Sequence, residues 1–196
     1  MRRGGKHSER GLEVLLLRRG EGARFMPGVW VFAGGVVDEA DRSSTTPAPS
    51  GVDADDWAHR VCGARELGEE ARVEIDPGAL VPWSRWITPV VVPARFDTRF
   101  YVALAPPHTA PRPDEVEMEE ARWFAPMEAL EAGQNDEIEL SFPTVRHLEE
   151  LKQFASADEV LEAATARKVE PILPRVVASE DSFSVLLPGE PGYDEG

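Results

Sequence analysis

One predicted helix, from about Asp55 to Ala71, has two chemically opposite faces and so limits how the chain can fold. At about 100° per residue, the carboxylates of Glu66, Glu69 and Glu70 share one side of this helix. The opposite side is an apolar stripe made of Trp57, Val61, Ala64, Leu67 and Ala71. Such a helix must pack its stripe against other elements, while its acidic face stays open to solvent or to a ligand.

The acidic face has two interpretations. Like charges three or four residues apart destabilise a helix by a few tenths of a kcal/mol per pair, and Arg65 is spaced to compensate only Glu69. A solvated acidic surface is the simpler interpretation. The functional one is a site for hard divalent cations, which prefer carboxylate oxygens. A strand that ends in Gly34-Gly35, where the backbone must approach another group closely, precedes the helix and favours the cation site.

Short apolar runs and helical patterns alternate along the rest of the chain. We predict strands at residues 12–17, 28–33, 73–75, 81–92, 99–104, 116–124 and 184–187. Further helices are predicted at 126–131, 142–154 and 157–166. Residues 42–51 are rich in Ser, Thr and Pro, which is typical of a mobile surface loop. The interleaving predicts an α/β (α+β) fold with one mixed central sheet between helices.

The net charge of the chain limits the kinds of ligand that it can bind. The 196 residues include 36 acidic and 21 basic side chains, for a formal net charge of −15. Such a field opposes nucleic acid, whose binding relies on phosphate contacts to Lys and Arg. It also opposes small anionic substrates, so a phosphate-handling function requires bound cations. No apolar run is long enough to span a bilayer, and Met1 to Arg10 lacks the apolar part of a secretory signal. Cys62 is the single cysteine, which fits a reducing compartment. We therefore expect a cytoplasmic protein.

The residues around the acidic helix resemble the Nudix box, a glycine followed by a glutamate and then by an Arg-Glu-x-x-x-Glu-Glu helix. Gly35 would open the box, and Arg65-Glu-Leu-Gly-Glu-Glu70 followed by Val73 matches its helical half. Two positions depart from the pattern. Asp41 stands where the first glutamate is expected, with 16 extra residues after it, and Arg72 replaces the glycine near the helix end. If that position needs a positive φ, arginine there costs about 1 kcal/mol.

The interrupted box resembles one Nudix subgroup in particular, which includes peroxisomal coenzyme A diphosphatases and their bacterial relatives. The segments 86–89 and 93–100 share this resemblance. It implies a Nudix-type α/β/α sandwich over residues 1–168, with a mobile insertion at about 42–54. Residues 169–196 would be a C-terminal extension that packs on the domain or forms an interface. The opening strand is poorly represented by Met1 to Arg10, so we expect an unusual or truncated start.

The resemblance also implies roles for site residues. Glu66, Glu69 and Glu70, together with the Gly34 carbonyl, would bind Mg²⁺ or Mn²⁺. Arg65 would orient the glutamates by ion pairs, and Glu66, Arg65 and Glu69 are the predicted catalytic residues. Asp41 is a candidate to replace the missing glutamate. The general base is either Glu66 or a distal glutamate, Glu117 or Glu119, in an acidic run that a solvated turn also explains.

Candidate substrate-binding residues lie in two groups. Arg95 and Arg99 share one face of a predicted strand and would grip phosphates, although a structural ion pair centred on Asp97 fits the pattern equally well. Trp86 and Phe25 (with Trp83) would stack a nucleobase, although burial explains such aromatic residues too. His59 and Cys62 lie on the carboxylate side of the wheel and are interpreted as bystanders.

Three functions follow for testing. The first is a metal-dependent hydrolase that cleaves the diphosphate linkage of a small nucleoside-diphosphate derivative, with coenzyme A or acyl-CoA as the leading substrate, to two phosphomonoesters. The second is a non-catalytic Nudix-like module that binds or senses such a ligand. The third is a purely structural acidic domain. Nucleic acid and membrane partners are not expected, whereas a homodimer is compatible with the family.

Overall fold

The computed structural model describes residues 1–4, 11–89, 91, 95–178 and 183–193. The strands are β1 Arg2–Arg3, β2 Leu12–Arg19, β3 Trp30–Val31, β4 Val81–Ile87, β5 Asp97–Val102, β6 Met118–Phe124, β7 Pro171–Ile172, β8 Arg175–Ala178 and β9 Phe183–Leu186. The helices are α1 Glu39–Arg42, α2 Ala54–Ala71, α3 Pro126–Gln134, α4 Phe142–Leu151 and α5 Ala157–Ala166, with a 3₁₀ turn at Pro77–Ala79. The predicted α/β class is therefore confirmed.

The described strands form two sheets and a hairpin. In the first sheet, β2 pairs antiparallel with β6 and also with β1 and β3. In the second, β4 pairs antiparallel with β5 and parallel with β7, so the strand arrangement is mixed. Strands β8 and β9 form a separate antiparallel pair. The single mixed sheet expected from the sequence is thus divided.

Strand β2 lies at the centre of the core because its apolar side chains are buried on both faces. Leu12, Val14 and Leu16 join a large cluster that includes Trp30 and Phe124, whose rings meet edge to face at 5.2 Å. The apolar faces of α3, α4 and α5 complete this cluster. Burial on both faces explains the nearly continuous apolar run of the strand.

A second, smaller cluster fixes the C-terminal half of α2. It consists of buried residues from β2, β6 and the helix end, namely Leu17, Ala71, Val73 and Met118. The apolar stripe predicted for this helix is confirmed, since Trp57 and Ala71 are buried and Leu67 packs against the cluster. Packing of one face on the β2–β6 pair holds the acidic face in a defined orientation.

Both ends of α2 have defined caps. At the N-terminus the Asp53 carboxylate accepts the backbone N–H groups of Asp55 and Asp56. At the C-terminus Arg72 adopts the left-handed conformation with φ 55°, and its N–H donates to the Gly68 carbonyl. The box position of Arg72 therefore does require a positive φ, which an arginine adopts at a cost that glycine would avoid.

Three secondary-structure predictions need correction. Residues 73–75 are not a strand, because the left-handed turn at Arg72 redirects the chain and Val73 is buried against the helix end. The second strand is only Trp30–Val31. The tail contains β7 and β8 besides the expected final strand. The strand predicted at 81–92 ends at Ile87, and residues 90 and 92 lie outside the described part.

The domain boundaries at 168 and the mobility of the insertion at about 42–54 stay predictions. In the structure, the Trp57 indole N–H donates to the Thr46 carbonyl at 3.0 Å and so ties this loop to α2. Within the described ranges, no helix combines the length and the apolar character needed to cross a bilayer.

Candidate active site

The Gly34-Gly35 turn meets the acidic face of α2. The Gly34 N–H donates to the Glu70 carboxylate at 2.9 Å. A Cβ atom at position 35 would lie 2.1 Å from a Glu66 carboxylate oxygen, a distance that no real side chain tolerates. The expected close approach after the strand is therefore real, and its physical reason is the space that the Glu66 carboxylate occupies.

Two carboxylates at this turn, those of Glu66 and Glu70, have a raised pKa. Burial raises the pKa of Glu70 to about 7, and the negative charges of Glu66 and Glu117 add to that effect. Burial also raises the pKa of Glu66, with further contributions from Glu69 and Glu117. Glu70 is only 4% exposed. The arrangement holds negative charge in a poorly solvated place, which costs free energy unless a cation is close.

Arg65 is shared by hydrogen bonds among three carboxylates, those of Asp41, Glu66 and Glu69. One edge of its guanidinium makes two hydrogen bonds to Asp41, at 2.9 and 3.0 Å. Its Nη1 donates to Glu66 at 2.9 Å and to Glu69 at 3.0 Å. The predicted role of Arg65 in orienting the glutamates therefore matches the geometry of the structure.

Asp41 reaches Arg65 from the short helix α1. The Asp41 side chain is 2% exposed, and hydrogen bonds from Arg65 hold its pKa below the usual value. A capping box fixes α1, because the Asp38 carboxylate accepts the Asp41 N–H and the Asp41 carboxylate accepts the Asp38 N–H. Asp41 thus pairs with an arginine of the matched helical half, from which 16 inserted residues separate it, and its replacement of the missing box glutamate stays a prediction.

The donor chemistry at this site suits a hard divalent cation. Glu66, Glu69 and Glu70 offer carboxylate oxygens, and the crowded pair Glu66 and Glu70 lacks full charge compensation. Among the described side chains, no group of three His, Cys, Asp or Glu residues is already arranged to hold a metal ion. Arg65 occupies oxygens of Glu66 and Glu69, so these two carboxylates would have to share their lone pairs or rotate when a metal binds.

The two candidate distal bases differ in their surroundings. Glu117 raises the pKa of both Glu66 and Glu70 and therefore lies close to the site. Glu119 instead pairs with Arg18 at 2.6 Å and accepts the Glu21 N–H at 3.1 Å. Glu117 is the better placed of the two.

Neither candidate phosphate-binding arginine lies free beside the carboxylates. Arg99 pairs with Asp55 and lies 3.7 Å from Asp56, at the opposite end of α2 from Glu70. Arg95 donates a long hydrogen bond of 3.4 Å to the Thr88 carbonyl. The ion pair centred on Asp97 does form, with Arg85 as its partner. The structural alternative therefore describes this strand better than a phosphate grip does.

The aromatic candidates also differ from one another. Trp86 is buried and packs its ring against Phe142 and His147, so it is a core residue. Trp83 is buried as well. Phe25 is 62% exposed and stays a candidate for stacking a base.

His59 takes no part in the carboxylate cluster, whereas the Cys62 sulfur accepts a hydrogen bond from Arg65 at 3.6 Å. The His59 ring donates a hydrogen bond from Nδ1 to the Asp55 carbonyl at 2.7 Å. Cys62 is buried, and burial raises its pKa to about 12, which leaves the thiol protonated and unreactive. One neighbour of the site was not foreseen: Arg19, at the end of β2, lowers the pKa of Glu70. The nearly continuous apolar run of β2 offered no signal for Arg19, because it does not show which face of the strand meets the site.

An α/β fold and a glutamate-rich helix whose carboxylates contact a Gly-Gly turn are features of a Nudix-class hydrolase. The chain belongs to the Nudix family, whose NUDIX domain model matches residues 6–145.

Relatives agree with this assignment. The chain is 28% identical to the human acyl-coenzyme A diphosphatase NUDT19 over 94% of its own length and 73% of that protein. It is 27% identical to the Gallus gallus protein of the same name, over 93% and 73% of the two chains. A crystal structure of a NUDIX hydrolase from Alicyclobacillus acidocaldarius superposes with a TM-score of 0.73 and 25% identity, covering 87% of this chain and 94% of that one.

Proposed function

We propose that this Nudix hydrolase is a metal-dependent diphosphatase acting on a nucleoside-diphosphate derivative, with coenzyme A or acyl-CoA as its leading substrate. The observation that carries the proposal is the crowding of Glu66, Glu70 and Glu117, of which only Glu66 forms an ion pair with Arg65. Similarity to two proteins named as acyl-coenzyme A diphosphatases supports the substrate class.

Four groups would hold Mg²⁺ or Mn²⁺: the carboxylates of Glu66, Glu69 and Glu70, and the Gly34 carbonyl. The bound metal supplies positive charge for the diphosphate and lowers the pKa of a coordinated water. In a chain with net charge −15, this positive charge is what makes an anionic substrate acceptable at an acidic site.

The chain's own residues position the reaction. Arg65 holds Glu66 and Glu69 by hydrogen bonds of 2.9 and 3.0 Å, and Asp41 anchors Arg65 from the other side. Glu66, whose raised pKa makes its carboxylate a more effective base, or the neighbouring Glu117 accepts the proton of the attacking water. The water oxygen forms the new bond to phosphorus, the P–O–P bond breaks, and two phosphomonoesters leave.

A substrate panel tests the proposal. Purified protein supplied with Mg²⁺ or Mn²⁺ is incubated with coenzyme A, acyl-CoA, ADP-ribose, NADH and dinucleoside polyphosphates, and released phosphomonoesters are measured. We expect cleavage of coenzyme A or acyl-CoA at the diphosphate and loss of activity with a chelator. Binding without turnover on every compound would contradict the enzyme and favour the non-catalytic binding module.

Glu69→Gln tests the metal site directly. Glu69 is largely exposed, and glutamine keeps its volume while removing the charge, so we expect the fold to persist and kcat to fall at least about a hundredfold. Glu162→Gln, the same exchange at an exposed position of α5, is the matched control and should keep wild-type activity. Wild-type turnover by the Glu69 variant would exclude Glu69 as a metal ligand.

A further inference from the structure

A second charged surface lies where α2 ends. An open depression of about 620 Å³ is lined by Arg72, Ala110, Arg112, Pro113 and Glu115. The left-handed turn at Arg72 forms one wall, and the loop around Arg112 forms the other. The Arg112 N–H donates to the Ala71 carbonyl at 2.8 Å, which attaches this loop to the helix end. Backbone geometry thus brings two arginines from distant parts of the chain to one place.

The charges of these arginines are not neutralised by the surrounding protein. Within the described ranges, neither the Arg72 nor the Arg112 side chain has a hydrogen bond or an ion pair. By contrast, Arg18, Arg60 and Arg99 all pair with carboxylates.

The nearby acids do not remove this positive charge. Asp114 directs its carboxylate to the backbone N–H groups of Val116, Glu117 and Met118. Glu115 lines the depression but forms no ion pair within 4.0 Å with either arginine, as far as the structure describes the chain. In a chain of net charge −15, two uncompensated guanidinium groups that share a depression form a site for an anion.

The conformation of Arg72 is a second, independent observation. Its φ of 55° falls in the region that glycine adopts without cost, and the family pattern has glycine at this position. An arginine here loses stability that glycine would keep. The left-handed conformation itself is that of an ordinary helix end, so what marks the position is an arginine where the family pattern has glycine.

Two segments that line the depression also carry residues of the carboxylate cluster. Arg72 follows Glu70 by two residues, so their Cα atoms are separated by at most about 7 Å. Glu115 precedes Glu117 by two residues, and Glu117 is close enough to raise the pKa of Glu70. A substrate whose diphosphate lies at Glu66 and Glu70 can therefore place a second anionic group in the depression.

We propose that Arg72 and Arg112 bind a phosphomonoester of the substrate that is separate from the diphosphate being cleaved. The inference rests on the proposed function and narrows its substrate class to nucleotides with such an additional phosphate. Coenzyme A and acyl-CoA carry one on the ribose, next to the diphosphate, whereas dephospho-coenzyme A and ADP-ribose do not. A guanidinium pair recognises phosphate through directed, charge-assisted hydrogen bonds.

Kinetics on a matched pair of substrates tests the inference. We expect wild-type kcat/KM to be at least about tenfold higher for coenzyme A than for dephospho-coenzyme A, because each charge-assisted contact contributes that much. Arg112→Ala should remove most of this preference by raising KM for coenzyme A alone. Arg3→Ala deletes the same charge from an exposed arginine that pairs with Asp158, and it should keep the preference. Equal kcat/KM for both substrates in the wild type would overturn the inference while leaving the proposed function intact.

Arg72→Gly separates binding from stability. Glycine relieves the left-handed strain, so Tm should rise by about 2–4 °C, yet the preference for coenzyme A should fall as in Arg112→Ala. A purely structural role for Arg72 predicts the Tm change without the loss of preference, and that result would overturn the inference.

A binding measurement covers the case in which neither substrate is cleaved, which would contradict the proposed function. Titration calorimetry in chelator compares adenosine 3′,5′-bisphosphate with AMP. Tighter binding of the bisphosphate, reduced about tenfold by Arg112→Ala, supports the arginine pair without any need for turnover. Equal affinity for the two nucleotides would overturn it.

Discussion

The two ends of α2 are both acidic, but only at one end are the carboxylates paired with enough arginines to compensate their charge. At the N-terminal end, Asp55 pairs with Arg42 and Arg99, and Asp56 pairs with Arg60 at 2.8 Å. Desolvation is the largest single effect on Asp55 and raises its pKa, but the combined interactions with Arg42 and Arg99 outweigh it and hold that pKa below its usual value. The helix macrodipole also favours anions at this end. These carboxylates therefore stabilise the fold.

At the C-terminal end the balance is reversed. Arg65 is shared among Asp41, Glu66 and Glu69, and the pKa of Glu70 is raised rather than lowered. Carboxylates that the surrounding protein leaves without enough positive charge are suited to an external cation. The number of acids on a helix thus says little about a metal site, whereas the number of cations that face them says much.

Of the substitutions that test this comparison, Asp41→Asn should change the stability of the metal-free protein most. It removes the buried charge that anchors Arg65, so we expect unfolding to become easier by about 3 kcal/mol and kcat to fall as Arg65 loses its fixed position. Chemical denaturation and initial rates measure the two effects. Asp76→Asn, at an exposed cap of the 3₁₀ turn, is the matched control. An Asp41 variant with wild-type stability and kcat would show that Arg65 needs no anchor.

Glu70→Gln should make the protein more stable, whereas Asp41→Asn makes it less stable. A carboxyl whose folded-state pKa is raised from 4.5 to about 7 destabilises the ionised fold increasingly as the pH rises through that interval. In chelator, the variant should therefore exceed wild type by about 1–3 kcal/mol above pH 7, and the difference should vanish below about pH 4.5. Denaturant midpoints across this pH range measure it. A variant that is less stable at high pH would mean that the Glu70 charge is already compensated.

Tyr101→Phe tests the N-terminal end of α2, where the carboxylates are paired, and should have the smallest effect on stability. The Tyr101 hydroxyl donates to Asp56 at 2.8 Å, so its loss should cost about 1 kcal/mol. Activity on the preferred substrate should stay at the wild-type level, because Asp56 lies at the far end of the helix from Glu70. A fall in kcat without a fall in stability would show that the N-terminal cluster contributes to turnover.

Local periodicity predicted the helical half of the site well. The spacing of Arg65 and Glu69 predicted their hydrogen bond, and the opposed faces of the helix predicted which side packs. Gly34-Gly35 predicted a close approach, which the Glu66 carboxylate explains. These features depend on neighbours within one or two helical turns, or on a glycine whose missing side chain is visible in the sequence.

Sequence periodicity did not predict the contacts between residues that long loops separate. Asp41 was only one candidate for the missing box glutamate, because the path of 16 inserted residues cannot be read from periodicity. Arg99 shares a strand face with Arg95, yet its partner is Asp55 on α2, 44 residues away. Which carboxylate an arginine meets depends on how the second sheet packs on the helix, and the sequence carries no simple record of that packing.

The inserted loop has a practical consequence for protein engineering. The capping box of α1 and the Asp41–Arg65 pair hold one end of the loop, and Asp53 caps α2 at the other. Because these anchors and the Thr46 carbonyl that binds Trp57 lie outside residues 47–52, and because closure entropy grows slowly with loop length, a peptide tag or a small reporter domain should be accepted at 47–52. A reporter placed at this point would sit between the two halves of the Nudix box and would sense their separation.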